Sequence, residues 1–225
     1  MPRIKRIVSC NSALHVICRG NNKNNVFHCD NDKLRYYSLL NELKNENKID
    51  ILHYCLMDNH VHLILNLKPE SKLSRFMKQL NLTYFYYYSK LYDYCGHLWQ
   101  DRFKSNIIEV DSYLLQCGKY IELNPVRAGV VSHPAEYRFS SYNCYAKGKP
   151  DSLITLSPAY LGLSDSATSR QKQFIDFVID GSIINSDVLA KKLYIGSQAF
   201  IDKLQEYYQT KNRRDSKGRP PKDKY

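Results

Sequence analysis

Apolar and polar positions along the chain fall into a β-α-β-β-α-β order, followed by further helices. Residues 10–19 (Cys-Asn-Ser-Ala-Leu-His-Val-Ile-Cys-Arg) form a compact apolar run that ends at Gly20-Asn21 and predicts a strand. Residues 31–45 predict a helix, with Leu34, Leu39, Leu40 and Leu43 on its apolar side. Residues 49–57 and 60–67 predict two strands. Only Asp58-Asn59 separates them, and that pair is a turn signal, so they should form a hairpin. Residues 74–92 carry Phe76, Met77, Leu80, Tyr84, Tyr87, Tyr88 and Leu91 at helical spacing. Residues 105–110 predict a strand. Asp111 can cap a helix from Ser112 to about Asn124, which should stop before Pro125.

This order implies an α+β fold: a ferredoxin-like split β-α-β core in which helices cover one face of an antiparallel sheet. The His60–His62 strand should be internal, with Val61, Leu63 and Leu65 turned away from the histidines. The core should span residues 1–145. Residues 146–168 are richer in Gly, Pro and Ser and read as a connector. Residues 169–210 predict a small helical extension with three helices, at 169–180, at 187–193 and after a Ser197 cap. The last carries Phe200, Ile201, Leu204 and Tyr208. The spacing leaves open whether this extension reads DNA, in helix-turn-helix fashion, or only packs. Residues 211–225 are polar, charged and proline-containing, and read as disordered when free.

Charge changes this picture. The net charge is +11. Residues 211–225 hold seven Lys/Arg and two Asp, a net of +5, which leaves 26 basic and 20 acidic residues, a net of +6, in the rest. The folded part is therefore basic in its own right, and a polyanion partner is the simple reading, with nucleic acid ahead of membrane. No apolar run approaches the ~18 residues of a membrane span, and the basic start Met1-Pro2-Arg3-Ile4-Lys5-Arg6 lacks a signal-peptide core, so a cytoplasmic protein is expected. The seven cysteines form no Cys-x-x-Cys pair, which argues against a disulfide framework or a zinc knuckle.

Two short segments carry candidate chemistry. His60 and His62 lie one residue apart on a predicted strand, so both imidazoles share a face. Tyr120 and Asn124 lie four apart on a predicted helix and are neighbours on one side. Together they supply two metal ligands, a third candidate ligand and a nucleophilic oxygen. A phenol has a pKa near ~10 and is a poor nucleophile at neutral pH. A divalent cation polarises a phosphate and holds it in line for attack. Imidazole suits Mn²⁺ or Zn²⁺ better than Mg²⁺, and Mg²⁺ or Mn²⁺ is expected to function here. His-x-His is also common on strands without a metal. Tyr120 is one of 19 tyrosines, and Tyr84 and Tyr88 form a rival pair within a Tyr84-Phe85-Tyr86-Tyr87-Tyr88 run that reads as a packing face.

The motifs resemble those of the REP-associated tyrosine transposases, within the HUH single-strand DNA nuclease superfamily. The resemblance covers most of residues 1–145 and runs in order through several blocks. These are Met1-Pro2-Arg3, His15-Val16, Arg19-Gly20-Asn21, Tyr54-Cys55-Leu56-Met57-Asp58-Asn59-His60-Val61-His62 and Leu73-Ser74-Arg75. Next come Gly96-His97-Leu98-Trp99-Gln100-Asp101-Arg102-Phe103-Lys104-Ser105, Tyr113-Leu114-Leu115, Lys119-Tyr120-Ile121-Glu122-Leu123-Asn124-Pro125-Val126-Arg127-Ala128-Gly129 and Ser140-Ser141-Tyr142.

The resemblance implies that His60, His62 and Asn124 hold a divalent metal, Mg or Mn, and that Tyr120 is the single nucleophile. It implies cleavage and rejoining of single-stranded DNA next to palindromic hairpins through a phosphotyrosine, by a monomer or a homodimer, with no small-molecule substrate. Relatives often carry Gln in place of Asn124, and Asp58 stands where Pro is common. That aspartate either adds charge near the metal or reshapes the turn. By charge and position, Arg3, Arg19, Trp99, Arg102, Lys104, Lys119 and Arg127 are candidate DNA contacts. Trp99 either stacks on an unpaired base or anchors a loop. Two other readings compete: a catalytically inactive hairpin-binding protein, and a metal hydrolase that uses water.

Overall fold

A computed structural model of the chain describes residues 13–110, 112–180, 191–209 and 211. The candidate Arg3, the predicted cap Asp111 and the basic tail beyond residue 211 lie outside the described residues. β1 (Ala13–Arg19), α1 (Asp30–Glu46), β2 (Ile49–Met57), β3 (His60–Leu67), α2 (Leu73–Tyr92), β4 (Lys104–Ile108) and α3 (Ser112–Glu122) follow in the predicted order. The fold is α+β, and the sheet order is β2-β3-β1-β4-β5, with β5 at Tyr194–Ile195. The first four strands pair antiparallel, and the histidine strand β3 is internal. The fifth strand is new relative to the sequence reading. β5 (Tyr194–Ile195) comes from the C-terminal segment and joins β4 in parallel, so the sheet is mixed.

Residues directly opposite each other on neighbouring strands share a face of the sheet. One face carries Leu14, Val16 and Cys18 of β1 with Val61, Leu63 and Leu65 of β3. The opposite face carries His15, Ile17, Arg19, His60, His62, His53, Cys55, Lys104 and Asn106. α1 and α2 cover the apolar face. Asn81 of α2 reaches Cys18 at 3.5 Å, and Tyr36 of α1 meets Tyr84 of α2 with ring centroids 5.1 Å apart. α3 lies on the histidine face, where the Tyr120 ring meets His62. The expectation of helices on one face is therefore corrected. The histidine face also holds Ile17, Cys55 and Ile64, and apolar surface of that kind is buried only by a second layer.

The tyrosine run of α2 is a packing face, as its spacing predicts. The Tyr84 hydroxyl donates to the Val26 carbonyl at 2.6 Å, and Tyr87 and Tyr92 both donate to the fully buried carboxylate of Asp32. The same carboxylate accepts from the backbone N–H groups of His28 and Cys29, and so caps α1.

α3 ends two residues earlier than expected. It stops at Glu122, and Pro125 does not terminate the helix but sits inside a further turn, α4 (Asn124–Arg127). Proline lacks only an N–H that a first helical turn leaves unpaired, so it is tolerated there.

Beyond this turn, α5 (Tyr142–Lys147), α6 (Pro158–Leu161) and α7 (Ala167–Ile179) build a second core. It gathers Tyr142, Tyr145, Tyr160, Phe174 and Val178 around Leu115 of α3. α8 (Gln198–Tyr208) is capped by Ser197, whose hydroxyl accepts from Phe200 N, as predicted. Its Phe200, Ile201, Leu204 and Tyr208 pack on the main core. Most of the helix expected at 187–193 lies outside the described residues. Among the described residues, no helix is long and apolar enough to cross a membrane.

Candidate active site

The site is built on the β2–β3 hairpin. Met57 faces His60 in the ladder, so the turn is the two-residue Asp58-Asn59 pair. Its backbone is anchored from outside: the Asp58 carbonyl accepts from Val26 N and Phe27 N, and the Asn59 carbonyl accepts from Gly20 N at 2.8 Å. The Asp58 carboxylate turns to the buried Lys33 ammonium at 2.7 Å. Asp58 thus shapes and fixes the turn, and its charge is matched by Lys33.

His60 and His62 follow, and their ring centroids are 4.9 Å apart. The His60 Nδ1–H donates to the Asn59 side-chain oxygen at 2.6 Å. His62 Nδ1 shares a 2.8 Å hydrogen bond with Nε2 of His15, and these two rings stack nearly parallel. Burial pushes the His60 pKa down to about 4, helped by the positive charges of Arg19 and Arg127. Burial also holds His62 well below the usual imidazole range, reinforced by His15 and His60. Both rings are therefore neutral at neutral pH.

Tyr120 comes to this pair from α3. Its ring centroid stands 5.9 Å from that of His62 and 6.4 Å from that of His15, edge-on to both. The Arg127 guanidinium lies over the ring, 3.8 Å from its centroid, and donates to the Tyr120 carbonyl and to the Asn124 side-chain oxygen. The Asn124 amide nitrogen donates to the carbonyls of Tyr120 and Ile121. One chain thus brings His60, His62, Tyr120 and Arg127 together, while the Asn124 amide is engaged within its own helical turns.

Behind Tyr120, two residues further along, Glu122 is fully buried. It accepts from His53 Nδ1 at 2.8 Å and from the Ser141 hydroxyl at 2.8 Å. The His53 ring stacks on Tyr145 with centroids 4.3 Å apart, and Gly118 of α3 presses against its other side. His15, Asn59 and this His53–Glu122–Ser141 group were given no site role from the sequence. The period of two along β1 would have placed His15 on the histidine face. The contact of His53 with Glu122, 69 positions apart, has no local signal.

The other predicted contacts divide. Arg19 is exposed and pairs with His60 in the ladder. Lys104 is exposed, opens β4 and shares the row of Ile17 and His62. Arg102 is exposed on the loop before β4. Trp99 is half-buried, donates its indole N–H to the Asn81 carbonyl at 3.3 Å, and packs on Tyr36 and Tyr84, away from the histidines. Lys119 is a correction. It is 1% exposed, and its ammonium is bound by the Phe177 carbonyl and the Asp180 carboxylate, so it ties α3 to α7 and is not available to DNA.

A divalent metal fits part of this set. Metal-binding imidazoles are neutral and hold their second nitrogen in a hydrogen bond. His60 and His62 both meet that description through Nδ1, which leaves Nε2 as the ligating position. Among the described residues, no cluster of three or more His, Cys, Asp or Glu side chains is arranged for a metal. A third protein ligand would therefore have to be an amide such as Asn124, released from Arg127.

Comparison with known proteins adds four findings. No curated protein matches the chain. A REP-associated tyrosine transposase bound to a REP hairpin shares the fold at 18% identity, with a TM-score of 0.55, over 69% of this chain and 92% of that one. A candidate transposase from Deinococcus radiodurans R1 aligns at 16% identity and a TM-score of 0.38, over 58% of this chain and 92% of that one. The IS200-like transposase profile matches residues 8–124, more than half of the 225 residues, and the chain belongs to that family.

Proposed function

We propose that this chain is a single-strand DNA endonuclease and strand transferase that works beside hairpins, with Tyr120 as nucleophile. The observation that carries the reading is the meeting of the Tyr120 ring with the neutral His60–His62 pair under the Arg127 guanidinium. The hairpin held by the structural neighbour supports the choice of substrate.

In this reading, the Tyr120 oxygen attacks a backbone phosphorus and loses its proton to solvent. The bond from phosphorus to the 3′ oxygen breaks, and that oxygen takes up a proton. The products are a 5′-phosphotyrosine and a free 3′-hydroxyl. Attack by a 3′-hydroxyl on the phosphotyrosine reverses the sequence and reseals DNA without an external energy source. Arg127 leaves its stacked position to pair with the phosphate, a geometry guanidinium suits well. Arg19 and Lys104, on the same face, hold neighbouring phosphates. A divalent cation held by His60 and His62, with Asn124 as the candidate third ligand, would polarise the phosphate and offset its developing charge. The protein's own part is to keep both imidazoles neutral and oriented, and to hold the Tyr120 ring edge-on against them.

Incubation with a single-stranded hairpin oligonucleotide and Mn²⁺ should give a covalent protein–DNA band on a denaturing gel. Tyr120→Phe should abolish it. A band that persists in the Phe variant removes Tyr120 from the role. Cleavage that leaves no DNA on the protein points to attack by water instead.

A further inference from the structure

A cleft of about 470 Å³ opens between α2 and the loop 96–103, on the opposite side of the sheet from Tyr120. Met77, Leu82 and Phe85 of α2 line one wall, and Trp99 and Phe103 line the other. Its size falls within the roughly 300–1,000 Å³ of ligand-binding pockets. Leu82 is 42% exposed at its mouth, a large apolar group with nothing packed over it among the described residues. The rim carries Lys78, Arg102 and His97 against a single carboxylate, Asp101, in a chain of net charge +11.

The cleft is tied to the histidine site through β1. Gln100 N donates to the Arg19 carbonyl at 2.9 Å, and Trp99 bridges to Gly20. Arg19 pairs with His60 on its other side. The backbones of Trp99 and His60 therefore lie across β1 from each other, about 10 Å apart at ~4.8 Å per strand, with the Trp99 ring on one face of the sheet and the His60 ring on the other. An apolar cleft walled by aromatic rings, with a basic rim and joined through β1 to the strand that carries His60, has the chemistry of a stacking site for an unpaired base.

We propose that this cleft seats one unpaired nucleobase of the single-stranded DNA next to the hairpin, stacked against Trp99 and Phe85, with Arg102 and Lys78 on its phosphates. The proposal rests on the DNA-cleaving reading above and adds a subsite that fixes the position of the strand. It also gives Trp99 both roles that its sequence context offered: its N–H anchors the loop on Asn81, and its remaining surface lines the cleft.

Trp99 is the only tryptophan in the chain, so its fluorescence, excited at the red edge where tyrosine does not absorb, reports on the cleft directly. The test uses full-length Tyr120→Phe protein, in which binding is scored apart from cleavage. A hairpin with mixed-sequence single-stranded flanks should change Trp99 emission on saturation, and the same hairpin with blunt ends should not. Replacing flank bases one at a time by abasic sites should identify one position whose loss weakens binding by about 5- to 150-fold and removes the emission change. Leu82→Asp, at an exposed position, should weaken binding of the flanked hairpin to a similar degree and leave the blunt hairpin unaffected.

Tight binding of the flanked hairpin with no change in Trp99 emission and no effect of Leu82→Asp overturns the subsite alone. Absence of any hairpin binding overturns the subsite together with the proposed function. A change of oligomeric state in Leu82→Asp by sedimentation would assign the cleft to a protein interface and overturn the proposal.

Discussion

Gly118→Ala tests how tightly α3 is held against the sheet. In an ordinary helix interior this change stabilises by about 1 kcal/mol, because glycine has more backbone freedom to lose. Here the added Cβ would stand 2.6 Å from Cε1 and 2.8 Å from Nε2 of His53. The ring cannot swing aside freely, since Tyr145 stacks on its other face and Glu122 holds Nδ1. Overpacking of this kind costs about 1–3 kcal/mol. Disturbing the charge-assisted bond to Glu122 adds about 1.5–3 kcal/mol. Net of the helix gain, the variant should lose about 1.5–5 kcal/mol. For a chain of this size that is a fall in Tm of about 3–20 °C. Thermal unfolding by circular dichroism measures it, with Gly162→Ala as the control. At Gly162 the added carbon would meet only carbonyl oxygens at 3.4 and 3.8 Å, and the effect should be within about 0.5 kcal/mol. A Gly118→Ala protein as stable as the parent, or more so, would show that α3 or His53 yields, and would refute the claim of rigid support for Tyr120.

Two further outcomes follow from the charges. The pKa values of His60, about 4, and of His62, also lowered, lie below the ~6.5 of an unfolded histidine. Between those values the unfolded chain binds protons that the folded chain refuses, so stability should fall as pH drops from ~6.5 toward ~4. Urea midpoints at stepped pH should show a shallower acid slope in His60→Asn and His62→Asn, and parallel slopes would contradict the burial argument. Lys119→Met should lower Tm and leave the salt dependence of hairpin binding unchanged, because its ammonium faces α7. Lys104→Met should leave Tm unchanged and reduce that salt slope by about 1; the reverse pattern would exchange their roles.

What could be read from the sequence was local. Asp58-Asn59 between two apolar runs gives the hairpin, and the period of two gives the shared face of His60 and His62, because both signals lie within a few residues. The second helical layer, the β5 strand and the true position of Lys119 were not legible. Each depends on a contact across many positions, as Lys119 with Asp180 over 61 residues, and a lysine beside a nucleophile motif looks the same in sequence whether it faces solvent or α7. His15 is an intermediate case: its face follows from strand alternation, but its bond to His62 requires the β1–β3 register.

These distant contacts converge on the orientation of one ring. Successive residues of a helix are turned by about 100°, so Lys119 and Glu122, three positions apart, leave α3 within about 60° of each other, while Tyr120 leaves it about 100° from Lys119. Lys119 is bound by the end of α7 and Glu122 by His53 on β2, while Gly118 lets the helix come close enough for that second contact. Two anchors on one side of a helix, held by two different elements, resist its rotation and its sliding at once. Tyr120, adjacent to Lys119 in the chain and on another side of the helix, is thereby directed at His62 without a hydrogen-bonded anchor of its own in the sheet. The C-terminal extension, through α7, is on this account part of what aims Tyr120. Cutting the chain after α6 should therefore slow adduct formation on Tyr120 even where hairpin binding persists, and an unchanged adduct rate in a folded truncated protein would show that the sheet-side anchor suffices.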